Sequence, residues 1–170
     1  MKLFYQSMGV ARRSESGPYA RALAKVLRAA AAPGTEVDVF GLSPGKAIAD
    51  QYRYLEYLDT AEVLDNGLRA EKEGYDAFLI GNVFEPGPHA LREVLNIPVL
   101  GLAHAGVHTV DGVPIVNGLI ARLTTAEMAV QIRRLTGGFT SKRMMYTPPT
   151  GKLLADIRAA YGDHVYPGAV

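Results

Sequence analysis

Asn82 is the polar residue whose place in the sequence says most about possible chemistry. It follows Ala77 to Ile80, a continuous apolar run that predicts a strand buried on both faces of a parallel sheet. Ligands of open parallel sheets bind in the crevice beyond the carboxyl ends of the strands. Asn82 is therefore predicted to lie at a ligand site, where its amide can form hydrogen bonds but cannot act as an acid or a base.

Three further side chains near this crevice could move protons. His104 and His108 follow the next predicted strand, Ile97 to Leu100, and are candidates for an acid/base pair. The alternative is an ordinary surface loop. Glu85 is a candidate base, and its alternative role is to stabilise the turn that follows Asn82.

A loop rich in serine and arginine precedes the first predicted helix. Ser7, Ser14 and Ser16 are placed near the amino end of that helix, where free backbone N–H groups and the helix dipole favour an anion. Arg12 and Arg13 add positive charge. The alternative is capping of the helix by Ser16 and a solvated basic loop.

Alternating strands and helices position these side chains. The hydrophobic patterns predict strands at 3–7, 37–40, 77–81, 97–102 and 113–116, and helices from Pro18 to the Pro33-Gly34 pair, at 46–73, from Pro88 to Asn96, at 118–135 and at 152–161. Asp59 and Glu62 form a candidate capping box that would divide the helical region 46–73 into two pieces. In the last helix Leu153, Leu154, Ile157 and Ala160 are predicted to face inward.

This alternation predicts an α/β fold made of right-handed βαβ units. We expect a single flavodoxin-like three-layer domain with a parallel sheet of about five strands, in the order 2-1-3-4-5. The switch point of that sheet lies between the first and third strands. It gathers the loop from Ser7 to Gly17 and the loop from Gly81 to Pro88.

Residues 53–105 resemble the first lobe of the aspartate/glutamate/hydantoin racemase superfamily. Members of that family typically carry a catalytic cysteine just after the equivalent strand, followed by an acidic residue, Pro and Gly. Asn82 stands here at the cysteine position, and the later residues are kept as Glu85, Pro86 and Gly87. Residues 112–149 resemble the carboxyl-terminal end of the family, including its Thr-Ser-Lys segment at Thr140, Ser141 and Lys142.

The resemblance implies that a whole lobe is missing. In the family a second lobe with a second catalytic cysteine comes between these two stretches, which here are almost adjacent. We expect residues 1–170 to form one racemase-like lobe, with the deletion point within 103–111. The resemblance also implies no cofactor and a small carboxylate or other anion as ligand, with Thr140 and Lys142 at the ligand. The alternative for Lys142 is a solvent-facing side chain.

Racemases of this family use two thiols, one to remove a proton and one to donate it, and this chain has no cysteine. The expected function is therefore a racemase-like domain without turnover, either a natural degenerate form or an engineered single-lobe form. Two alternatives stay open. One is an interaction or dimerisation module that binds no metabolite, with Tyr52, Tyr54 and Tyr57 as its exposed surface. The other is an isomerase that uses groups other than cysteine, such as His104 and His108.

The composition excludes several classes of function. The chain is 48% hydrophobic and 21% charged, as in ordinary globular domains, and its net charge of +1 provides no field for nucleic acid or a membrane surface. The absence of cysteine excludes disulfides, Fe–S clusters and thiolate metal sites. No metal-ligand spacing, signal peptide or membrane-length apolar run is found, so a cytoplasmic location is expected.

Overall fold

The structure is a computed structural model that describes residues 1–10, 17–43, 52–82, 84–101, 118–140, 142, 146–167 and 169. Strands and helices alternate through these residues. The strands are β1 (Lys2–Val10), β2 (Glu36–Leu42), β3 (Ala77–Ile80) and β4 (Val99–Leu100), and the helices are α1 (Pro18–Ala30), α2 (Arg53–Lys72), α3 (Pro88–Val94), α4 (Gly118–Thr136) and α5 (Gly151–Tyr161).

The four strands pair in parallel in the order β2-β1-β3-β4. The chain moves to one side of β1 to form β2 and to the other side to form β3 and β4, so the switch point lies between β1 and β3. This confirms the predicted class, the order of these strands and the position of the switch point. The fifth predicted strand, 113–116, lies outside the described residues.

Helices cover both faces of the sheet, because alternate residues of each strand point to opposite faces. On one face α1 and α4 bury Leu23, Leu27, Leu123 and Val130 against the sheet. On the other face α2 and α3 bury a second set of apolar side chains against it, which includes Val63, Ala70, Leu91 and Leu95. The result is a three-layer α/β domain with a core on each side of the sheet.

Proline and glycine define where two of the helices begin. Pro18 and Pro88 open α1 and α3, as the sequence predicts, because the fixed φ of proline suits the first helical residue. Gly87 precedes α3 with a left-handed φ of 72°, and a Cβ there would lie 2.7 Å from the Leu64 side chain. The N-cap of α1 is Gly17, so the predicted cap at Ser16 is wrong; Ser16 itself lies outside the described residues.

The predicted break within the second helical region is wrong. Helix α2 continues from Arg53 to Lys72 through the supposed capping box. Glu62 does not cap this helix, because its Oε1 accepts hydrogen bonds from the Ser43 backbone N–H at 2.7 Å and from the Ser43 hydroxyl at 2.8 Å. Asp59 is buried at mid-helix. The helix continues because Val63 and Ala70 pack on the sheet and no proline interrupts the backbone.

The last helix buries less than its sequence predicts. Leu154 on α5 is buried, and Ile157 is half-buried. Leu153 is 61% exposed and Ala160 is also exposed, so their predicted inward orientation is wrong. The reason is that a single side chain of α5, Leu154, is buried against the rest of the described structure.

Candidate functional site

The carboxyl ends of β1 and β3 approach each other very closely at the switch point. Gln6 is paired with Ile80, and the Gly81 backbone N–H donates to the Gln6 carbonyl at 2.6 Å. A Cβ at Gly81 would lie 2.5 Å from that carbonyl oxygen and 2.5 Å from the Tyr5 ring. Only glycine fits here, so the loop that carries Asn82 starts directly against β1.

Asn82 is 7% exposed and closes a tight turn after β3. Its Oδ1 accepts the backbone N–H of Phe84 at 2.7 Å, and its carbonyl accepts the backbone N–H of Glu85 at 3.3 Å. This is the geometry of an Asx turn, in which the side chain imitates a backbone acceptor. The amide is therefore held at the crevice as a hydrogen-bonding group and has no means to take up a proton.

Glu85 follows this turn with a left-handed φ of 49°, which is unfavourable for a residue other than glycine. Its carboxyl group lies over Gly101, directly after β4: a Cβ at Gly101 would be 2.0 Å from the Glu85 Oε1 atom. Glu85 thus connects the Asn82 turn to the end of the neighbouring strand. Such strained conformations concentrate at functional sites, where the surroundings hold them in place.

The irregular end of β1 contributes buried amide groups to the same region. Between the pairs Gln6–Phe40 and Val10–Leu42 the register of β1 against β2 shifts, and Ser7 lies in this stretch, 6% exposed. The Gln6 side chain is fully buried. Its Nε2 donates to the Ser7 carbonyl at 2.9 Å, and its Oε1 accepts from Asn66 Nδ2 of α2 at 2.8 Å. This hydrogen-bonded chain joins β1 to α2 beside the switch point.

Arg122 was not among the residues singled out from the sequence, yet it is the largest fully buried side chain of the described residues. It extends from near the start of α4, donates through Nη1 to the Ile80 carbonyl and through Nη2 to the Tyr5 hydroxyl at 2.8 Å, and lies 4.6 Å from the Tyr5 ring centroid. Burial raises the pKa of Tyr5 above its usual value, and Arg122 partly opposes this increase. An arginine within the apolar stripe of a helix is the signal that could have identified it.

Lys142 and Thr140 lie at the other end of the strands from Asn82. The Lys142 ammonium group donates to the carbonyls of Arg92 at 2.6 Å and Glu93 at 3.1 Å in the last turn of α3, and to the carbonyl of Leu95, which directly follows the helix. Thr140 follows the end of α4, where Arg134 meets Asp76 just before β3. These are the amino-terminal ends of the strands, so neither residue is brought together with Asn82.

Burial lowers the pKa of Lys142 below its usual value, while the nearby carboxylates of Glu71 and Glu93 act in the opposite direction. A cavity of about 190 Å³ lies beside it, lined also by Asn96 and Tyr166. Three carbonyl acceptors match the three N–H donors of an ammonium group. Lys142 is half-buried, and its hydrogen bonds stabilise the carboxyl end of α3.

Ser14, His104, His108 and the predicted deletion point at 103–111 lie outside the described residues. Among the residues that the structure does describe, no cluster of three or more His, Cys, Asp or Glu side chains could hold a metal ion. No helix in these parts of the chain is long and apolar enough to cross a membrane.

The fold and the crevice define a three-layer α/β domain with a parallel sheet and a polar switch point. Sequence comparison adds the family: the profile of the Asp/Glu/Hydantoin racemase family matches residues 16–143. This match covers well over half of the chain, and the chain belongs to that family.

Individual relatives agree with this assignment. A hydantoin racemase from Pseudomonas sp. (strain NS671) is 38% identical over 82 residues, which cover 47% of this chain and 32% of the relative. The chain therefore matches about a third of the length of that relative. Among solved structures, an allantoin racemase from Pseudomonas fluorescens aligns with a TM-score of 0.66 at 21% identity, covering 89% of this chain and 98% of that one. It shares the fold.

Proposed function

We propose that this chain is a catalytically inactive, single-lobe domain of the racemase family that binds a small carboxylate or similar anion at the crevice between β1 and β3. The second lobe is missing at 103–111. The observation that supports the proposal is that Asn82 Oδ1 accepts the Phe84 N–H. The family resemblance implies a cysteine at this position. The site residues we assign are Ser7, Ser14, Asn82 and Glu85.

Racemisation at a carbon next to a carbonyl requires a base on one face of the substrate and an acid on the other. An amide can serve as neither, and the chain has no cysteine to supply a thiol elsewhere. The names of the relatives suggest the compounds to try first, namely hydantoins and allantoin, together with aspartate and glutamate. We expect aspartate, glutamate or simpler dicarboxylates to bind without exchange of the α-proton, and the neutral hydantoins and allantoin to bind less tightly.

The absence of turnover is tested by proton NMR in D₂O. Each candidate substrate is incubated with the protein, and the loss of its α-proton signal is compared with that in buffer alone and with a cysteine-containing family racemase as the positive control. No loss above buffer is expected. Washout of the α-proton by this chain would overturn the claim of inactivity.

Binding is tested by the shift in melting temperature with succinate, hydantoin and allantoin. Asn82→Asp keeps the oxygen that accepts the Phe84 N–H but adds negative charge to the crevice, so the stabilisation by succinate should be lost. The matched control is Asn96→Asp, the same change at an exposed residue near the opposite edge. An equal response of both variants to succinate would contradict the proposed site.

A second candidate function is an interaction module. Its support is an exposed apolar surface at the start of α2, which we call the α2 patch: Tyr52, Tyr54, Tyr57 and Leu58 are 57%, 72%, 77% and 51% exposed. Contiguous exposed apolar side chains of this kind are typical of protein–protein contacts. On this hypothesis a second copy of the chain covers the patch, which would make a homodimer.

Sedimentation velocity over a range of protein concentrations separates the two candidates. The interaction module predicts a concentration-dependent dimer that Tyr57→Glu abolishes and that Tyr161→Glu, at a 72% exposed tyrosine of α5, leaves intact. A monomer at all concentrations would exclude self-association. The third candidate, an isomerase that depends on His104 and His108, predicts proton exchange that is lost when both are replaced by Asn.

A further inference from the structure

Arg122 is a buried cation without a counter-ion in the part of the chain that the structure describes. The residue is 1% exposed. Its hydrogen-bond acceptors are neutral, namely the Ile80 carbonyl and the Tyr5 hydroxyl. Its Nε atom is buried and donates to no acceptor. No ion pair of Arg122 is found among the described residues. Several other arginines of the chain are exposed to solvent, so burial distinguishes Arg122 from them.

Such an arrangement is costly. A buried charge is normally paired, because only an opposite charge with good geometry offsets the free-energy cost of removing an ion from water. Glu127, the buried carboxylate on the same helix, accepts the backbone N–H of Ala32 at 2.8 Å, and no ion pair between it and Arg122 is found among the described residues. Among the described residues, one positive charge and one N–H donor of Arg122 are therefore left unmatched.

The unmatched charge lies at the switch point. Ile80 is the last residue of β3 and is followed by Gly81 and Asn82, and Tyr5 is on the neighbouring strand β1. The guanidinium group thus reaches the end of β3 and the part of β1 that pairs with it, at the switch point where ligands of open α/β sheets bind. It extends from near the start of α4, where the helix dipole also favours negative charge.

We propose that Arg122 is the counter-charge of the anion bound at this crevice and selects a charged ligand over a neutral ligand of the same shape. This rests on the proposed function and deepens it. The Nε–H supplies the hydrogen bond to the anion. The Tyr5 hydroxyl and the Ile80 carbonyl hold the guanidinium in position. The ligand class is a compact anion with oxygen acceptors, either a carboxylate or inorganic phosphate.

The test compares two ligands of nearly equal shape, acetate and acetamide, on two proteins. The wild-type chain should be stabilised by acetate and not by acetamide in thermal unfolding at constant ionic strength. In Arg122→Met the dissociation constant for acetate should rise by about 10- to 100-fold, the expected effect of losing a charge-assisted hydrogen bond. Lys25→Met, at an exposed cation of α1, is the matched control and should respond as the wild type does. Inorganic phosphate is a third ligand. If phosphate stabilises the wild type but not Arg122→Met, phosphate also binds through the Arg122 charge.

The outcomes separate the two proposals. If acetate, succinate and phosphate all fail to stabilise the wild type, the anion crevice is wrong and the role of Arg122 is wrong with it. If the wild type responds but Arg122→Met responds equally, only the role of Arg122 is overturned. If Arg122→Met fails to fold, the ¹⁵Nε–H NMR signal of Arg122 in the wild type is the deciding measurement. Contacts to the Tyr5 ring protons identify this signal. The proposal requires that it shifts with acetate and stays unchanged with acetamide.

Discussion

Asn82 forms the turn that follows β3. A thiol, which the family resemblance would place at this position, is a poor hydrogen-bond acceptor for a backbone N–H. The amide of this chain instead accepts the Phe84 N–H at 2.7 Å. An amide at this position therefore differs from a thiol in the turn that it can support as well as in its chemistry.

Asn82→Ala removes this acceptor and should lower the free energy of unfolding by about 1–2 kcal/mol, as expected when a part-buried N–H loses its partner. Asn82→Asp keeps an oxygen in place and should cost less. Urea unfolding of both variants measures the difference. Equal stabilities for Asn82→Ala and the wild type would show that the turn does not depend on the side chain.

Lys142 has a structural role that its sequence context did not predict. Lys142→Met removes the donor shared by three carbonyls of α3 and should destabilise the protein by about 1–3 kcal/mol. The control is Lys152→Met, which disrupts an exposed ion pair with Asp156 and should change the stability by less than about 0.5 kcal/mol. Chemical denaturation measures both. A similar small effect for the two variants would contradict the role of Lys142.

At the scale of elements, the junction of β1 and β3 decides the geometry of the crevice. A Cβ at Gly81 would meet a backbone oxygen at 2.5 Å, and backbone atoms cannot move aside as a flexible side chain can. Gly81→Ala should therefore destabilise the protein by about 3 kcal/mol or more. Gly138→Ala is the control, because nothing lies within 4 Å of a Cβ there. Thermal unfolding distinguishes them, and comparable melting temperatures would argue against the close approach of the strands.

Elements with a strong local signal were predicted well. The continuous apolar run Ala77 to Ile80 has the bounds of β3, and Pro88 opens α3 as expected. Elements whose limits depend on packing were predicted less well. The acidic pair at Asp59 and Glu62 has the spacing of a capping box, but α2 continues because its apolar side chains pack on the sheet. Local spacing cannot reveal that Glu62 accepts hydrogen bonds from Ser43.

At the scale of the whole molecule, Asp76 joins three elements at the amino-terminal edge of the sheet. It lies directly before β3, accepts the Lys2 backbone N–H of β1 at 2.7 Å and pairs with Arg134 of α4 at 2.9 Å. Burial alone would raise the pKa of Asp76, but these hydrogen bonds and the charge of Arg134 outweigh it and hold the pKa below its usual value.

The pH dependence of stability follows from this lowered pKa. The unfolded chain takes up the proton more readily than the folded protein. The contribution of Asp76 to the free energy of unfolding is therefore complete above the ordinary aspartate pKa of about 3.9, and it is lost as the pH falls through the pKa of Asp76 in the folded protein. Asp76→Asn should lower the free energy of unfolding by about 1 kcal/mol at pH 7, and the difference from the wild type should disappear in acid. Urea unfolding at pH 7 and pH 3 tests this. Asp156→Asn, which removes the carboxylate of an exposed ion pair, is the control variant.

The sequence by itself determined the alternation of strands and helices, the strand order around the switch point, the family and the lack of a thiol at Asn82. These properties depend on residue identity and on patterns over a few neighbouring positions. Only the tertiary structure revealed the buried Arg122 and the capping role of Lys142. Arg122 meets Tyr5 across 117 positions and Lys142 meets Leu95 across 47, and such contacts exist only because the sheet brings distant segments together. No local pattern specifies which buried charge will find a partner, since that depends on how α4 packs against β1 and β3.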